Sequence, residues 1–230
     1  MGRPLGFWNF VRFVNDAIGS ANKYDIIEAH WLYPAGIAAM IASWITKVPY
    51  RVYCHGTDVM MAERSWFWRF WAKRVCKSSS DRIVCVSHFL ANKMSFIVRS
   101  YPRVDPMEVD KSIFYDYGHK RAGVAAILKR NAGRYVSVLM KLPTIAPIMY
   151  SQQELAHIFN RCKVVVLASE NEGYGLMLAE AAECGCKIIG VNEGGIPEVV
   201  AKYGGLLFDG TAEDLKAKIE IALKQETVTV

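Results

Sequence analysis

No stretch of this 230-residue chain offers the run of about twenty uninterrupted apolar residues that a membrane-spanning helix needs. Its most hydrophobic segment, 26–45, carries Glu28, His30 and a Pro34-Ala35-Gly36 break, which divide it into a strand, a loop and a helix. The first residues lack the charged start, clean apolar run and small-residue cleavage site of a secretory signal. These absences predict a cytoplasmic chain, with peripheral contact at the inner membrane face left open. Low-complexity tracts and internal repeats are also missing, which removes disorder and solenoid architectures from consideration. Asp-x-Asp does not occur, so no metal site and no cofactor is assigned. No Gly-x-Gly-x-x-Gly follows a strand, which places a dinucleotide enzyme last among the possibilities.

The six cysteines, at 54, 76, 85, 162, 184 and 186, form no metal pattern. Cys184 and Cys186 are too close for a structural zinc pair, and no His/Cys partner pair follows them. Cys54, Cys85 and Cys162 fall in or beside apolar runs, where a thiol behaves as a small hydrophobe. Reduced thiols are the expectation.

Acidic residues are scarce in one half only. Residues 1–108 hold 14 Lys/Arg against 8 Asp/Glu, whereas 109–230 hold 14 against 14, so the net charge of +6 belongs to the N-terminal half. Much of it falls in 63–82, ERSWFWRFWAKRVCKSSSDR. On a helix Arg69, Lys73 and Lys77 share one face, and Phe67, Trp71 and Val75 the opposite one. Two readings stay open: a basic helix resting on an anionic membrane surface, or aromatics packed on the sheet beneath a solvated basic face. No nucleic-acid motif accompanies the charge, so nucleic acid is not expected as a partner.

An apolar fraction of 52% supplies a core, and 230 residues suit one large domain or two small ones. Strand patterns near 25–28, 50–54 and 82–86 alternate with helical ones at 4–20, 35–46, 65–77 and 88–98. Further on, the pattern reads as a basic helix over 119–131, a strand over 135–140 and a helix over 151–160. Strands at 163–167, 187–191 and 205–208 then alternate with helices at 176–185, 196–202 and 211–224. Such alternation predicts βαβ units with parallel sheets: an α/β chain of two Rossmann-like lobes, 1–108 and 109–230, joined near 104–112.

The most informative segment is 169–200, SENEGYGLMLAEAAECGCKIIGVNEGGIPEVV. An acidic, Gly-rich loop follows the β-branched run 163–167 and opens a helix whose free N–H groups favour an anion. Gly194-Gly195 repeats the arrangement one strand later, with Pro197 suited to the start of a helix. Ligands of open α/β sheets bind beyond the carboxyl ends of the strands, so the two loops predict one pocket, with Glu172 and Glu180 able to face it.

This segment resembles the C-terminal signature of the retaining, family-4-type glycosyltransferases of GT-B architecture. Their motif is Glu, seven residues, Glu, set in S-x-x-E-G-[FY]-G-L and followed by C-G-x-P-V-I and G-G-x-P-E. Here Ser169, Glu172, Gly173, Tyr174, Gly175, Leu176, Glu180, Gly185, Gly194, Gly195, Pro197 and Glu198 are in place, while Ala168 and Lys187 stand where Pro is common. Residues 25–37, 49–58 (PYRVYCHGTD) and 80–89 resemble successive strand-loop pieces of the N-terminal domain, and 104–114 the interdomain stretch. Glu108 replaces a Gly there.

The resemblance implies a retaining transfer of a sugar from a nucleotide-sugar donor to a polysaccharide or lipid-linked acceptor. Glu172 would lie against the donor sugar and Glu180 would bind the ribose hydroxyls. Gly173 belongs to the donor-binding loop, the amides at Tyr174, Gly175 and Leu176 would meet sugar or phosphate oxygens, and Gly194 and Gly195 would flank the nucleotide or phosphates. From the other lobe His55 and Gly56 would approach the sugar and His30 the acceptor. The chain is shorter than the family, so both lobes are expected to be cut down. No match to the family's diphosphate-gripping G-R-x-x-x-x-K-G appears between 114 and 152. Gly133-Arg134 with Lys141 has the wrong spacing, and Arg134 would precede its strand. A remnant that binds nucleotide sugar without turnover, or a fragment completed by another chain or by self-association, therefore remains beside the enzyme.

Overall fold

The computed structural model describes residues 6–76 and 82–224, and they divide into two compact units, 1–106 and 107–230. Both are parallel α/β structures.

In the first unit α1 (Phe7–Ala21) leads into β1 (Ile27–His30), and a turn over 32–36 opens α2 (Ile37–Thr46). Then follow β2 (Tyr50–Cys54), α3 (Thr57–Arg64), α4 (Trp66–Val75), β3 (Ile83–Cys85), α5 (His88–Val98) and β4 (Arg103–Val104). The four strands pair in chain order, β1-β2-β3-β4, all parallel. Val52, Cys54, Val84 and Cys85 are wholly buried, as continuous β-branched and thiol-bearing strands covered on both faces should be. Ser87 caps α5 by accepting from the Leu90 amide at 3.2 Å.

The second unit contains β5 (Val124–Ile127), α6 (Val136–Leu139), β6 (Thr144–Ile145), α7 (Gln152–Arg161) and β7 (Val164–Leu167). It continues through α8 (Leu176–Glu183), β8 (Lys187–Val191), α9 (Ile196–Tyr203), β9 (Leu206–Phe208) and α10 (Ala212–Lys224). The parallel order is β6-β5-β7-β8-β9. The chain leaves β5 to one side for β6 and returns to its other side for β7, so the winding reverses between β5 and β7. That reversal is where open α/β sheets leave a crevice. A Ser151–Glu154 capping box starts α7, and buried Asn160 ties α7 to the preceding segment, accepting from the Tyr117 amide at 2.8 Å and donating to the Tyr115 carbonyl at 2.9 Å.

Two expected elements are overturned. The basic helix over 119–131 is instead β5 followed by a loop, and the strand over 135–140 is a 3-10 turn running into α6. Arg134 therefore follows a strand rather than preceding one. On α4 the expected faces also differ: Phe67 is 46% exposed, beside Trp66 and Phe70, while Trp71 and Val75 turn inward. Arg69 does not stand free on its face but donates to the Glu63 carbonyl at 2.7 Å, and Lys77 lies outside the described residues. All six cysteines are free thiols.

Candidate functional site

Loops from the carboxyl ends of β5 and β7 meet at the crevice of the second unit. Lys129, two residues beyond β5, places Nζ 2.9 and 2.8 Å from the two oxygens of Glu172. The Ser169 hydroxyl donates to the same carboxylate at 2.7 Å, and the Asn131 amide reaches it at 3.5 Å. The loops are also bound through their backbones, since the Glu170 amide donates to the Asn131 carbonyl at 2.7 Å. Asn171 adopts a left-handed φ of 55°, which turns the chain so that Glu172 points back toward β5.

Glu172 is buried, and burial alone would push its carboxyl up. The charge of Lys129 and the hydrogen bonds from Lys129, Ser169 and Asn131 outweigh that, holding it below the usual carboxylate range. Glu180 is different. Burial pushes it up to about 7, with Lys129 acting in the opposite direction, and its carboxylate makes no hydrogen bond among the described residues. Lys129 thus influences both carboxylates: one is held ionised, and the other is poised near neutrality without a partner.

Gly175 caps α8 with φ 101°, and the amides of Gly175 and Leu176 donate to no backbone carbonyl among the described residues. Tyr174 is buried, and its hydroxyl meets no hydrogen-bond partner among the described residues. Gly194 and Gly195 serve the first loop directly. A Cβ on Gly195 would stand 2.3 Å from the Gly173 carbonyl oxygen, and its amide donates to the Glu172 carbonyl at 2.8 Å. Their lack of side chains lets the second loop back the first, a use the sequence did not suggest.

A second cluster sits at the carboxyl ends of β5 and β8. Arg134 Nη2 and the Tyr135 hydroxyl both donate to Glu193 at 2.6 Å, and Arg134 lies over the Tyr135 ring at 4.9 Å. The sequence pattern does not single out Lys129, Asn131 or the placement of Arg134, because the basic stretch over 119–131 has the pattern of a helix whereas the structure forms β5 there. With VAAI recognised as a strand, the Lys-Arg-Asn that follows it would have marked the crevice.

In the first unit His30 ends β1 and His55 follows β2, and the adjacent parallel strands bring the rings together: Nδ1 of His30 is 2.8 Å from Nε2 of His55. One ring donates and the other accepts. The pair is framed by Tyr53, stacked on His30 at 5.1 Å, and Trp31, tilted on His55 at 5.3 Å. Burial depresses His55, and the neighbouring His30 adds to this while Asp58 opposes it. Asp58 is a structural anchor. Its carboxylate accepts from the amides of Gly56 and Val59 at 3.0 Å and of Leu32 at 3.3 Å, joining the loops after β1 and β2. The Gly56 amide is therefore committed to Asp58 rather than open to a ligand.

Two family descriptions match the sequence: "Glycosyl transferase 4-like domain" over residues 2–108 and "Glycosyl transferases group 1" over 147–229. An N-acetyl-alpha-D-glucosaminyl L-malate synthase of Bacillus anthracis is 43% identical over 80% of this chain and 60% of that protein. An uncharacterized glycosyltransferase of Methanocaldococcus jannaschii is 23% identical over 85% of this chain and 64% of that protein. The chain thus spans less than two thirds of the length of these relatives. Among solved structures, a sucrose-phosphate synthase from Thermosynechococcus elongatus superposes with a TM-score of 0.72 at 16% identity, over 94% of this chain and 69% of that one. The Anabaena protein HepE, solved with UDP and glucose, gives 0.69 at 16% identity, over 97% and 75%.

Proposed function

We propose that this chain, whose fold is shared with GT-B structures and whose two halves match glycosyl transferase family descriptions, moves a sugar from a nucleotide-sugar donor to a polysaccharide or lipid-linked acceptor, with retention. The observation that carries this reading is the crevice of the second unit, where Lys129 engages Glu172 while Glu180 is left without a partner.

A sugar bound there presents hydroxyls, and an ionised carboxylate such as Glu172 accepts from them. Glu180 takes the paired ribose hydroxyls, a task that needs two acceptor oxygens. The open amides at the start of α8 face donor oxygens with the favourable end of the helix dipole. As the C1–phosphate bond breaks, negative charge grows on the leaving diphosphate, and a positioned cation there is worth about 3 kcal/mol or more. Lys129 and the exposed Arg134 supply positive charge at the strand end where the family's Arg/Lys motif is missing. The acceptor oxygen bonds to C1 on the face the phosphate leaves, and its proton passes to the departing phosphate oxygen. On the same reading His55 approaches the sugar being transferred and His30 the acceptor. The UDP and UDP-glucose complexes of HepE support a nucleotide-sugar donor.

Incubation with a panel of UDP-, GDP- and ADP-sugars and candidate acceptors tests the proposal by released nucleotide. Turnover abolished by Glu172→Ala supports transfer. Protection against thermal unfolding without released nucleotide supports the second reading, a binding remnant, which the missing Arg/Lys motif favours. No response to any nucleotide overturns both.

A further inference from the structure

β5 and β8 lie on either side of β7, so a bond between their loops crosses the carboxyl end of the strand that leads to Glu172. Such a bond exists. Arg134 Nη2 donates to Glu193 at 2.6 Å and to the Tyr135 hydroxyl at 2.7 Å, and that hydroxyl donates to the same Glu193 oxygen at 2.6 Å. These contacts use one nitrogen of a fork that carries five N–H donors. Tyr135 is buried and closely packed, since a Cβ on Gly210 would stand 2.8 Å from its ring. The Arg134 amide is fixed as well, donating to Glu170 at 3.1 Å. Backbone and neighbouring ring are thus held, while the Arg134 side chain is exposed.

The charge of this cluster is wrong for the ligand expected beside it. The charged side chains that the crevice contacts join are two cations, Lys129 and Arg134, and three carboxylates, Glu170, Glu172 and Glu193. Both cations are already answered by a carboxylate, so a diphosphate entering the resting site meets repulsion. One pair must open first, and the two differ in what opening costs. Lys129 and Glu172 are 28% and 11% exposed, against 66% and 27% for Arg134 and Glu193. Separating a buried pair strands a charge, whereas an exposed pair is screened by water and contributes little. Arg134 is therefore the cation that changes partner first. A phosphate group offers the guanidinium the same paired oxygens as a carboxylate. The Tyr135 ring, 4.9 Å from the guanidinium carbon, keeps hold of the charge during the exchange.

We propose that Glu193 is a positioning residue that holds Arg134 in reserve and yields it to the donor diphosphate, with Tyr135 as the pivot. Glu193 thereby competes with the donor and weakens its binding, while keeping a cation in place at the crevice. The inference rests on the donor crevice proposed above.

The test is calorimetric titration of the full chain with inorganic pyrophosphate and with UDP, GDP and ADP. Glu193→Gln keeps an acceptor for the Tyr135 hydroxyl but gives up the charge. It is expected to bind pyrophosphate about fivefold more tightly than the wild type, the worth of an exposed ion pair. Arg134→Gln, which loses the cation and leaves Glu193 unanswered, should bind it more weakly. A purely structural role for Glu193 predicts weaker binding in both variants. The guanidinium Nε–H resonance of Arg134, assigned by its loss in Arg134→Gln, should move when the wild type is saturated with pyrophosphate. Unchanged or weaker binding by folded Glu193→Gln, or an Arg134 resonance that stays in place at saturation, overturns the proposal while leaving the donor reading intact. A wild type that binds neither pyrophosphate nor any of the three nucleotides removes the donor reading and this inference with it.

Discussion

Lys129 and Glu172, 43 residues apart in sequence, form a two-point ion pair whose ammonium lies 2.9 and 2.8 Å from the carboxylate oxygens. The pair crosses the point where the sheet of the second unit reverses its winding, so it joins the two strands that define the crevice. It is also the place where structure and chemistry make opposite demands. A closed ion pair stabilises the fold, but a donor diphosphate would compete for the same ammonium.

Removing one partner leaves the other charged and buried, which costs more than the pair contributes. Lys129→Met is therefore expected to lower stability by about 3 kcal/mol at neutral pH and to abolish nucleotide release. Lys129→Met with Glu172→Gln should recover most of the stability and none of the turnover, measured by denaturant unfolding beside the nucleotide assay. If the single and double variants are equally stable, the pair is not energetically coupled.

Glu180 gives a pH signature of opposite sign to the usual carboxylate. Its folded value is raised to about 7 from the ordinary 4.5, so in that interval the folded chain holds a proton that the unfolded chain has lost. Stability from this group is complete below the unfolded value and falls as pH rises through about 7. Glu180→Gln keeps the shape without the charge. It should be neutral near about pH 4 and stabilising by on the order of 3 kcal/mol above about pH 8. Donor affinity should respond inversely, rising in the wild-type chain as Glu180 ionises and falling in Glu180→Gln at every pH. A pH-independent difference in unfolding free energy between the two proteins would contradict this assignment.

Much of this site was legible in the sequence, for physical reasons that differ by residue. The run 163–167 is continuously apolar and β-branched, and it could only be a strand covered on both sides. The glycines around Glu172 announced a loop, and Pro197 a helix start. β5 was not legible, because its four residues VAAI sit between basic stretches and carry no periodicity, and only pairing between β6 and β7 makes them a strand. In YVSVLM the β-branched residues suggested a strand, but Ala132, Tyr135 and Leu139 are buried at the spacing of one helix face, and tertiary burial decided the outcome. The His30–His55 contact needed strand register, which no local pattern supplies. The role of Gly195 needed the position of a loop more than twenty residues earlier in the chain.

That glycine makes a direct prediction. Gly195 has an ordinary φ of −85°, so alanine is not excluded by backbone conformation. Its Cβ would nevertheless stand 2.3 Å from the Gly173 carbonyl oxygen and 2.9 Å from the Tyr174 Cα. Backbone cannot swing aside as a side chain can, so the first loop must move. Gly195→Ala is expected to cost about 1–3 kcal/mol, as overpacking does, and to remove thermal protection by nucleotide sugars. Protection at wild-type levels would show that the loop's position does not govern donor binding.

The histidine pair allows transfer to be tested apart from nucleotide binding. Burial depresses His55 below its ordinary value of 6.5, so its contribution to stability is present above that value and is lost as pH falls through the depressed one. A second proton on the pair would also break the 2.8 Å bond between the rings, since neither could then accept. His55→Phe keeps a ring against Trp31 but supplies neither donor nor acceptor. It should lower transfer by about ten- to a hundredfold, the worth of one lost hydrogen bond of about 1–3 kcal/mol, while nucleotide-sugar protection stays as in the wild type. It should also remove the loss of stability expected of the wild-type chain as pH falls below 6.5. Unfolding midpoints across that range, measured with and without nucleotide sugar, check both halves. A variant that loses donor protection as well as transfer would show that His55 also holds the nucleotide sugar in place.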